Sequence, residues 1–304
     1  MDYSIVIPVY NSEHSLEEMQ QRIHDTMISL QRPYEVIYIN DFSRDKSWEK
    51  LKKIKLQFSA TVKIISLAKN FGQHSAIFCG FKYATGKYIL TLDDDLQHAP
   101  EDMLLLINEA EKRKFEVVYG IGKGQKTPLR KFFSWLWRYS ARTIDSGIGK
   151  GSAFRILNSR VKNAIVKHPQ GVIFIDEIIQ WHTDSVGLVE VIHYPRKYGN
   201  SNYNAVSLFN VITKVSFSYS TVPLRLMSIA GGVISLLTFL LGLWFVFKKI
   251  YYGVSVPGFT ALIVAILFSS SLLLIGIGLL GRYLNQIFIL LNNKPSFSVE
   301  EEDL

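Results

Sequence analysis

The stretch KNFGQHSAIFCGFKYATGKYILTLDDDLQHAPED, residues 69–102, decides the fold. It begins with the polar run Lys69–Gln73 and continues as a helix around Ser75–Ala84. An apolar strand, Tyr88–Leu92, follows, and it ends in three consecutive acids, Asp93, Asp94 and Asp95. Carboxylates placed at the end of a buried strand are a recurring sign of an α/β sheet, where ligands bind outside the carboxyl ends of the strands.

Working outward, the same alternation repeats. Ser4–Val9 is a short run rich in β-branched residues, ended by Tyr10 and Asn11. A helix follows, in which Leu16, Met19, Ile23, Met27 and Leu30 recur every three or four residues. Ser15 and Glu18 stand at capping-box spacing at its start. Tyr34–Ile39 reads as the next strand, Asp45–Phe58 as a helix and Val62–Leu67 as a third strand. Pro100–Lys114 reads as a helix and Phe115–Tyr119 as a fifth strand. Continuous apolar strands between helices imply an α/β domain with a mostly parallel sheet covered on both faces. Gly120–Gly124 follows the fifth strand and lacks dinucleotide-loop spacing, so it reads as a flexible loop.

Beyond residue 122 the pattern changes. Lys123–Lys150 is basic and aromatic, with Lys126, Arg130, Trp135, Trp137 and Arg142. It fits either a solvated amphipathic helix or a surface near lipid headgroups. Met227–Lys248 and Phe259–Gly281 are long apolar segments, each spanning roughly 33 Å as a helix, enough to cross a bilayer core. The short linker Lys249–Gly258 makes them a hairpin, and Asn204–Leu226 reads as interfacial helices. The expected organisation is a cytosolic catalytic domain (1–203), interfacial helices (204–226), two spans within 227–283 and a cytosolic tail (284–304). Lys214, Arg225, Arg282 and Lys294 flank the open ends, in weak agreement with a cytosolic catalytic domain.

Composition narrows the function classes. The 304 residues carry a net charge of +8, which favours anionic partners such as phosphorylated substrates or acidic lipid. No recognition motif or compact basic helix points to nucleic acid. Mean hydropathy is slightly positive at +0.14, the average of an ordinary soluble part and a strongly apolar one. The one cysteine, Cys79, excludes an internal disulfide and a cysteine-rich metal site. The chain opens directly as a strand, with no signal-peptide core.

Four consecutive strand ends carry polar groups. Pro8, Tyr10, Asn11 and Glu13 follow the first, and Asn40, Asp41, Ser43 and Asp45 the second. Lys69, Asn70 and Gln73 follow the third, and the acids with Gln97 the fourth. Adjacent carboxylates repel one another unless a cation compensates, and oxygen-only donors suit Mg²⁺ or Mn²⁺. If the strand continues through the acids, Asp93 and Asp95 point the same way and Gln97 keeps that phase. His98 reads as a surface residue beside that site. Asp176 and Glu177, ahead of Trp181 on a helix, either contact substrate or face solvent.

The stretches SIVIPVYNSE (4–13), YINDFSRD (38–45), residues 69–102, SAFRIL (152–157), PRKYGNSNY (195–203) and FSYSTVPLRL (217–226) occur in that order. Together they resemble the family 2 glycosyltransferases that make polyprenyl-phosphate sugars, the dolichyl-phosphate mannose synthase and bacterial polyprenyl-phosphate glycosyltransferase group. The resemblance runs from residue 3 to about 295. Its two-span tail is most similar to bacterial and phage bactoprenol glycosyltransferases. It implies a GT-A catalytic domain on the cytosolic face of the inner membrane, acting on a nucleotide sugar, UDP-linked by analogy, with polyprenyl (undecaprenyl) phosphate as acceptor. Inversion at the anomeric carbon, a Mg²⁺ or Mn²⁺ cofactor, membrane lipids as partners, self-association into a homo-oligomer and a place in cell-envelope glycan modification, as of lipopolysaccharide, are part of the same expectation.

The resemblance also implies roles. Pro8, Tyr10, Asn11, Glu13, Asp41 and Gln73 would hold the nucleotide, with Asp94 beside it. Asp93, Asp95 and Gln97 would ligate the metal. Arg155, Arg196 and Ser201 would bind the acceptor phosphate, and Asp95, Arg155, Arg196 and Asp176 would make up the catalytic set. Gly199 and Tyr203 complete the Gly-x-Ser-x-Tyr run. Two departures stand out: Asn40 replaces the first of a usual acid pair, and Gly151-Ser152-Ala153 lacks an acid often found before Phe-Arg. The rival readings are a processive polysaccharide synthase, which would carry more spans and a Gln-x-x-Arg-Trp-like motif, and a catalytically silent nucleotide-sugar sensor or scaffold.

Overall fold

Strands and helices alternate from the N-terminus because each apolar run is either continuous, and so buried on both faces as a strand, or spaced at three and four, and so one-sided as a helix. The computed structural model describes residues 1–122, 152–167, 174–195, 197, 222–252, 258–291 and 295–304. Met1–Asn202 together with Asn293–Leu304 form one compact unit, and Tyr203–Asn292 form a second.

The first unit runs β1 (Tyr3–Val9), α1 (Leu16–Ser29), β2 (Tyr34–Asn40), α2 (Ser47–Gln57), β3 (Val62–Leu67), α3 (Gln73–Tyr83) and β4 (Tyr88–Thr91). A 3₁₀ turn (Pro100–Asp102) leads into α4 (Met103–Arg113), followed by β5 (Val117–Gly122), β6 (Arg155–Asn158), α5 (Ser159–Lys167), α6 (Ile175–His182) and β7 (Val186–Val191). A last strand, β8 (Val299–Asp303), comes from the C-terminus.

The eight strands form one sheet in the order β7-β5-β6-β4-β1-β2-β3-β8. β4, β1, β2 and β3 are mutually parallel, as are β5 and β7, whereas β6 and β8 run antiparallel to their neighbours. The chain moves outward from β1 through β2 to β3, then returns to the other side of β1 as β4. The switch point therefore lies between β1 and β4, where open α/β sheets bind ligands. One core cluster packs α1, α2 and α4 on one face, with Leu16, Met19, Ile23, Leu51 and Leu106. The other packs α3, α5 and α6 on the opposite face, with Ile77, Phe78, Phe81, Val161 and Ile178. Gly80 lets α3 approach closely, since a Cβ there would stand 2.4 Å from Val6 and 2.7 Å from Ile39 side-chain carbons.

Several expectations change. β5 continues through Gly122 instead of giving way to a loop at Gly120, because it pairs with β7 over its whole length. Ser15 does not close a capping box: its hydroxyl donates to the carbonyls of Ser12 (3.1 Å) and Asp94 (2.5 Å). The tail contains β8, paired with β3. Lys123–Lys150 lies outside the described residues.

The second unit contains α7 (Val222–Tyr252) and α8 (Phe259–Leu291). Both are longer than the apolar runs that predict them. Val222–Leu226 belongs to α7, not to an interfacial helix, and the rest of that expected segment lies outside the described residues. Among the described residues, one window, Phe268–Asn285 of α8, is long and apolar enough to cross a bilayer, and the apolar run of α7, Ile229–Trp244, is shorter.

A buried carboxylate locks the amino-terminal edge of the sheet. Glu35, 2% exposed, accepts from Ser4 Oγ (2.6 Å), Thr85 N (2.7 Å) and Thr85 Oγ1 (2.7 Å), and lies 2.8 Å from Lys63 Nζ. Burial opposes its charge, but Lys63, Ser4 and Thr85 outweigh that and hold the carboxyl below its usual range. Its contribution is therefore complete above about pH 4.3, the ordinary carboxyl value, and is lost as pH falls through the lowered folded value. Glu35→Ala is expected to lower the unfolding free energy at pH 7 by about 3 kcal/mol in denaturant titrations, with the gap from wild type closing in acid.

Candidate active site

Three acids in a row cannot share one environment without cost, and the fold separates them. β4 stops at Thr91, so Asp93–Asp95 form a turn instead of a strand, and Leu96 takes the left-handed region at φ 57°. The strand alternation expected to align Asp93 with Asp95 therefore does not apply. Asp94 turns back across the switch point. Its Oδ2 accepts from the backbone N–H of Tyr10 (2.9 Å) and from the Ser12 hydroxyl. Burial pushes its carboxyl up to about 6, against the pull of those hydrogen bonds. Asp94 thus joins the ends of β1 and β4.

Asp93 Oδ1 accepts from Gln73 Nε2 at 2.6 Å, and Asp95 Oδ1 accepts from Gln97 N at 3.1 Å. Asp93, Asp95 and Gln97 offer only oxygen donors from one turn, which fits a hard divalent cation. Among the described residues, no three His, Cys, Asp or Glu side chains converge as a metal cage. Mg²⁺ is commonly held by one or two carboxylates plus substrate phosphates, so two acids on this turn satisfy the donor set.

Asp41 follows the same logic as Asp94. It is 3% exposed, and its two oxygens accept from the N–H groups of Phe71 (2.7 Å) and Gly72 (2.8 Å). Burial raises its pKa, and those two bonds oppose the rise. Gly72, at φ 89°, turns the chain into α3 and presents Gln73 to Asp93. Asn40 beside it is buried and neutral. Its Nδ2 donates to Ser66 Oγ (3.0 Å) and its Oδ1 accepts from Ser43 N (3.1 Å), two bonds of opposite sense that an amide side chain supplies together.

The loops after β1 and β2 are bound to each other. Asn11, at φ 54°, donates its N–H to Ser43 Oγ (3.0 Å) and accepts at Oδ1 from Arg44 N (2.8 Å). Glu13 Oε2 accepts from Lys46 N, and Glu13 N donates to Asp45 Oδ2, both at 3.1 Å. Pro8 stays inside β1 opposite Ile39, whereas Tyr10 is exposed at the strand end. Ser43, and Ser12 and Ser47, which the sequence leaves unmarked, carry much of this lacing through side-chain oxygens.

Arg155, the expected acceptor-binding residue, lies deep in the catalytic unit. It is 1% exposed, pairs with Asp176 through NH1, donates from Nε to Thr91 Oγ1 (3.2 Å) and stands over the Tyr119 ring at 5.9 Å. In this geometry its guanidinium is engaged by Asp176. Glu177 faces inward at 2% exposed, and burial, with Asp176 beside it, raises its pKa. His74, at the start of α3, rests its ring 4.5 Å from that of Phe174, and burial lowers its pKa to about 4, which keeps it neutral. His98 is stacked between Phe154 and His193, each ring centroid 5.1 Å away, and so is not a free surface group. Tyr194 N donates to Gln97 O at 2.9 Å, which brings the chain after β7 against the acid turn. Arg196, Gly199, Ser201 and Tyr203 lie outside the described residues.

The model of the family described as "Glycosyl transferase family 2" matches residues 4–168. An uncharacterized glycosyltransferase of Synechocystis sp. is 30% identical, covering 99% of this chain and 95% of its own. The undecaprenyl-phosphate 4-deoxy-4-formamido-L-arabinose transferase of Klebsiella pneumoniae (strain 342) is 32% identical, covering 98% and 92%. Glucosyl-3-phosphoglycerate synthase from Mycobacterium tuberculosis, crystallised with Mn²⁺, UDP-glucose and phosphoglyceric acid, aligns at TM-score 0.52 and 13% identity over 71% of this chain and 77% of that one, a likeness of fold alone.

Removing the Arg155 guanidinium would leave the Asp176 carboxylate without its buried partner. Arg155→Met is expected to destabilise the catalytic unit by about 3 kcal/mol in denaturant titrations, and Arg155→Met with Asp176→Leu to recover most of that loss.

Proposed function

Since this chain belongs to glycosyl transferase family 2, we propose that it moves a sugar from a nucleoside diphosphate, UDP by analogy, to undecaprenyl phosphate at the cytosolic membrane face, with inversion at the anomeric carbon. The observation that carries this reading is the extent of the match. Relatives named as undecaprenyl-phosphate sugar transferases align over 98% of this chain, the long apolar helices as well as the acid turn. The donor sugar named for those relatives is theirs.

An acceptor phosphate is already anionic at neutral pH and requires little help from a base. Catalysis then consists of positioning and charge stabilisation. A divalent cation, Mg²⁺ or Mn²⁺, held by Asp93, Asp95 and Gln97, would supply charge neutralisation on the departing nucleoside diphosphate. Asp94 and Asp41 hold the loops that carry this site, and Gln73 orients Asp93. Tyr10, Asn11 and Glu13 line the nucleotide side of the switch point. Arg155 sets the position of Asp176 toward the donor sugar, and Arg196 and Ser201 carry the acceptor phosphate.

Chain topology supports a membrane hairpin. The chain leaves the catalytic unit after Asn202 and rejoins it at Asn293, and β8 pairs with β3. In this reading both ends of the second unit share one side of a bilayer, and crossings come in even number. If α8 crosses, α7 returns the chain, and the enzyme is a two-span inner-membrane protein.

The test is a screen of sugar nucleotides against undecaprenyl phosphate with the full chain in lipid and a divalent cation present, followed by mass analysis of the lipid. A single sugar added to the lipid phosphate, with release of one nucleoside diphosphate, is expected. Nucleotide binding without a glycosylated lipid from any donor would favour the silent sensor.

A further inference from the structure

We infer that the C-terminal segment Ser296–Asp303 is a positioning element for the nucleotide loop, acting through Phe297 and Ser298. The loop in question is Ala68–Gln73, and it has no slack. Ala68 N donates to Ser298 O at 2.9 Å. Asn70 Nδ2 donates to Asp41 O at 3.3 Å, Phe71 and Gly72 donate their N–H groups to the Asp41 carboxylate, and Gln73 holds Asp93. The carbonyl of Ser298 thus anchors one end of a segment whose other end sets a proposed metal ligand. A second contact loads the helix that this loop begins. The Phe297 ring meets Phe78 of α3 edge-on at 6.1 Å, and Lys82 Nζ stands 4.8 Å over the Phe297 ring.

Charge holds the segment from Glu300 onward, while Val299 packs at the margin of the core. β8 is an edge strand of sequence VEEED, exposed from Glu300 onward. Glu301 accepts from Trp48 Nε1 at 3.1 Å and pairs with Lys52 at 2.7 Å. Glu302 accepts from the Tyr83 hydroxyl, and Asp303 lies 3.8 Å from Lys55 Nζ. Such exposed pairs are individually weak and screened by salt, so the segment is held by their sum and by its ladder to β3. Phe297 and Val299 pack only at the margin of the cluster under α3, and the cluster under α1, α2 and α4 includes none of the segment.

The test uses the full chain in lipid, and the kinetic half rests on the transferase reading whereas the exchange half does not. Hydrogen exchange is followed at the amides of Phe71 and Gly72 and, as an internal control, at those of β1 and β2. In Phe297→Ala, and separately in Glu301→Gln with Glu302→Gln, the loop amides are expected to exchange about tenfold faster while the β1 and β2 amides stay unchanged. KM for the sugar nucleotide is expected to rise about tenfold with kcat little altered, and salt is expected to reproduce this in wild type more than in the double variant. Loop amides unchanged in both variants would overturn the inference, as would faster loop exchange with an unaltered KM. Should Phe297→Ala fail to fold, the double variant carries the decision. A wild-type chain that turns over no sugar nucleotide counts against the transferase reading, and the exchange data still judge the segment.

Discussion

The Asp94 carboxylate, accepting from the Tyr10 amide and the Ser12 hydroxyl, ties together the ends of the two central strands. β1 and β4 are neighbours, but the chain reaches β4 only after running out through β2 and β3, so their carboxyl ends would otherwise be independent loops. The bond across the switch point gives the acid turn a fixed place relative to Tyr10 and Asn11. It also gives one of three adjacent carboxylates partners inside the protein, leaving Asp93 and Asp95 on a turn whose repulsion a single divalent cation would relieve.

The same device recurs around the site. Asp41 is consumed by the Phe71 and Gly72 amides, and Asp176 by Arg155. Each acid fixes a segment: the loop that bears Gln73 in the first case, the start of α6 in the second. Buried charges left unpaired are costly, so these arrangements persist only as complete sets. The acids of this site are thus held by hydrogen bonds and an ion pair inside the protein.

This explains how much the sequence makes legible. β1 to β4 are readable because each is a continuous apolar run buried on both faces, and α1 because its apolar residues fall at helical spacing. The acid triplet is readable as a site for the same reason, standing where such a strand ends. Its division of labour is not, because that depends on Leu96 turning the chain left-handed and on Ser12, eighty-two residues before Asp94. Ser15 and Glu18 have the spacing of a helix cap, yet the Asp94 carbonyl draws the Ser15 hydroxyl away. β8 has neither apolar alternation nor β-branched residues beyond Val299, and its ladder to β3 with its distant partners Trp48, Lys52 and Tyr83 makes it a strand.

The account stands most directly on the unequal roles of the three acids. The measurement is Mn²⁺-dependent binding of UDP by titration calorimetry, on the full chain with Asp93→Asn, Asp94→Asn and Asp95→Asn made one at a time. The account predicts that the changes at Asp93 and Asp95 each weaken metal-dependent binding by about tenfold or more. Asp94→Asn, whose amide oxygen can still accept from Tyr10, should bind nearly as wild type does. Loss of binding in the Asp94 variant alone, with the other two unaffected, would contradict it.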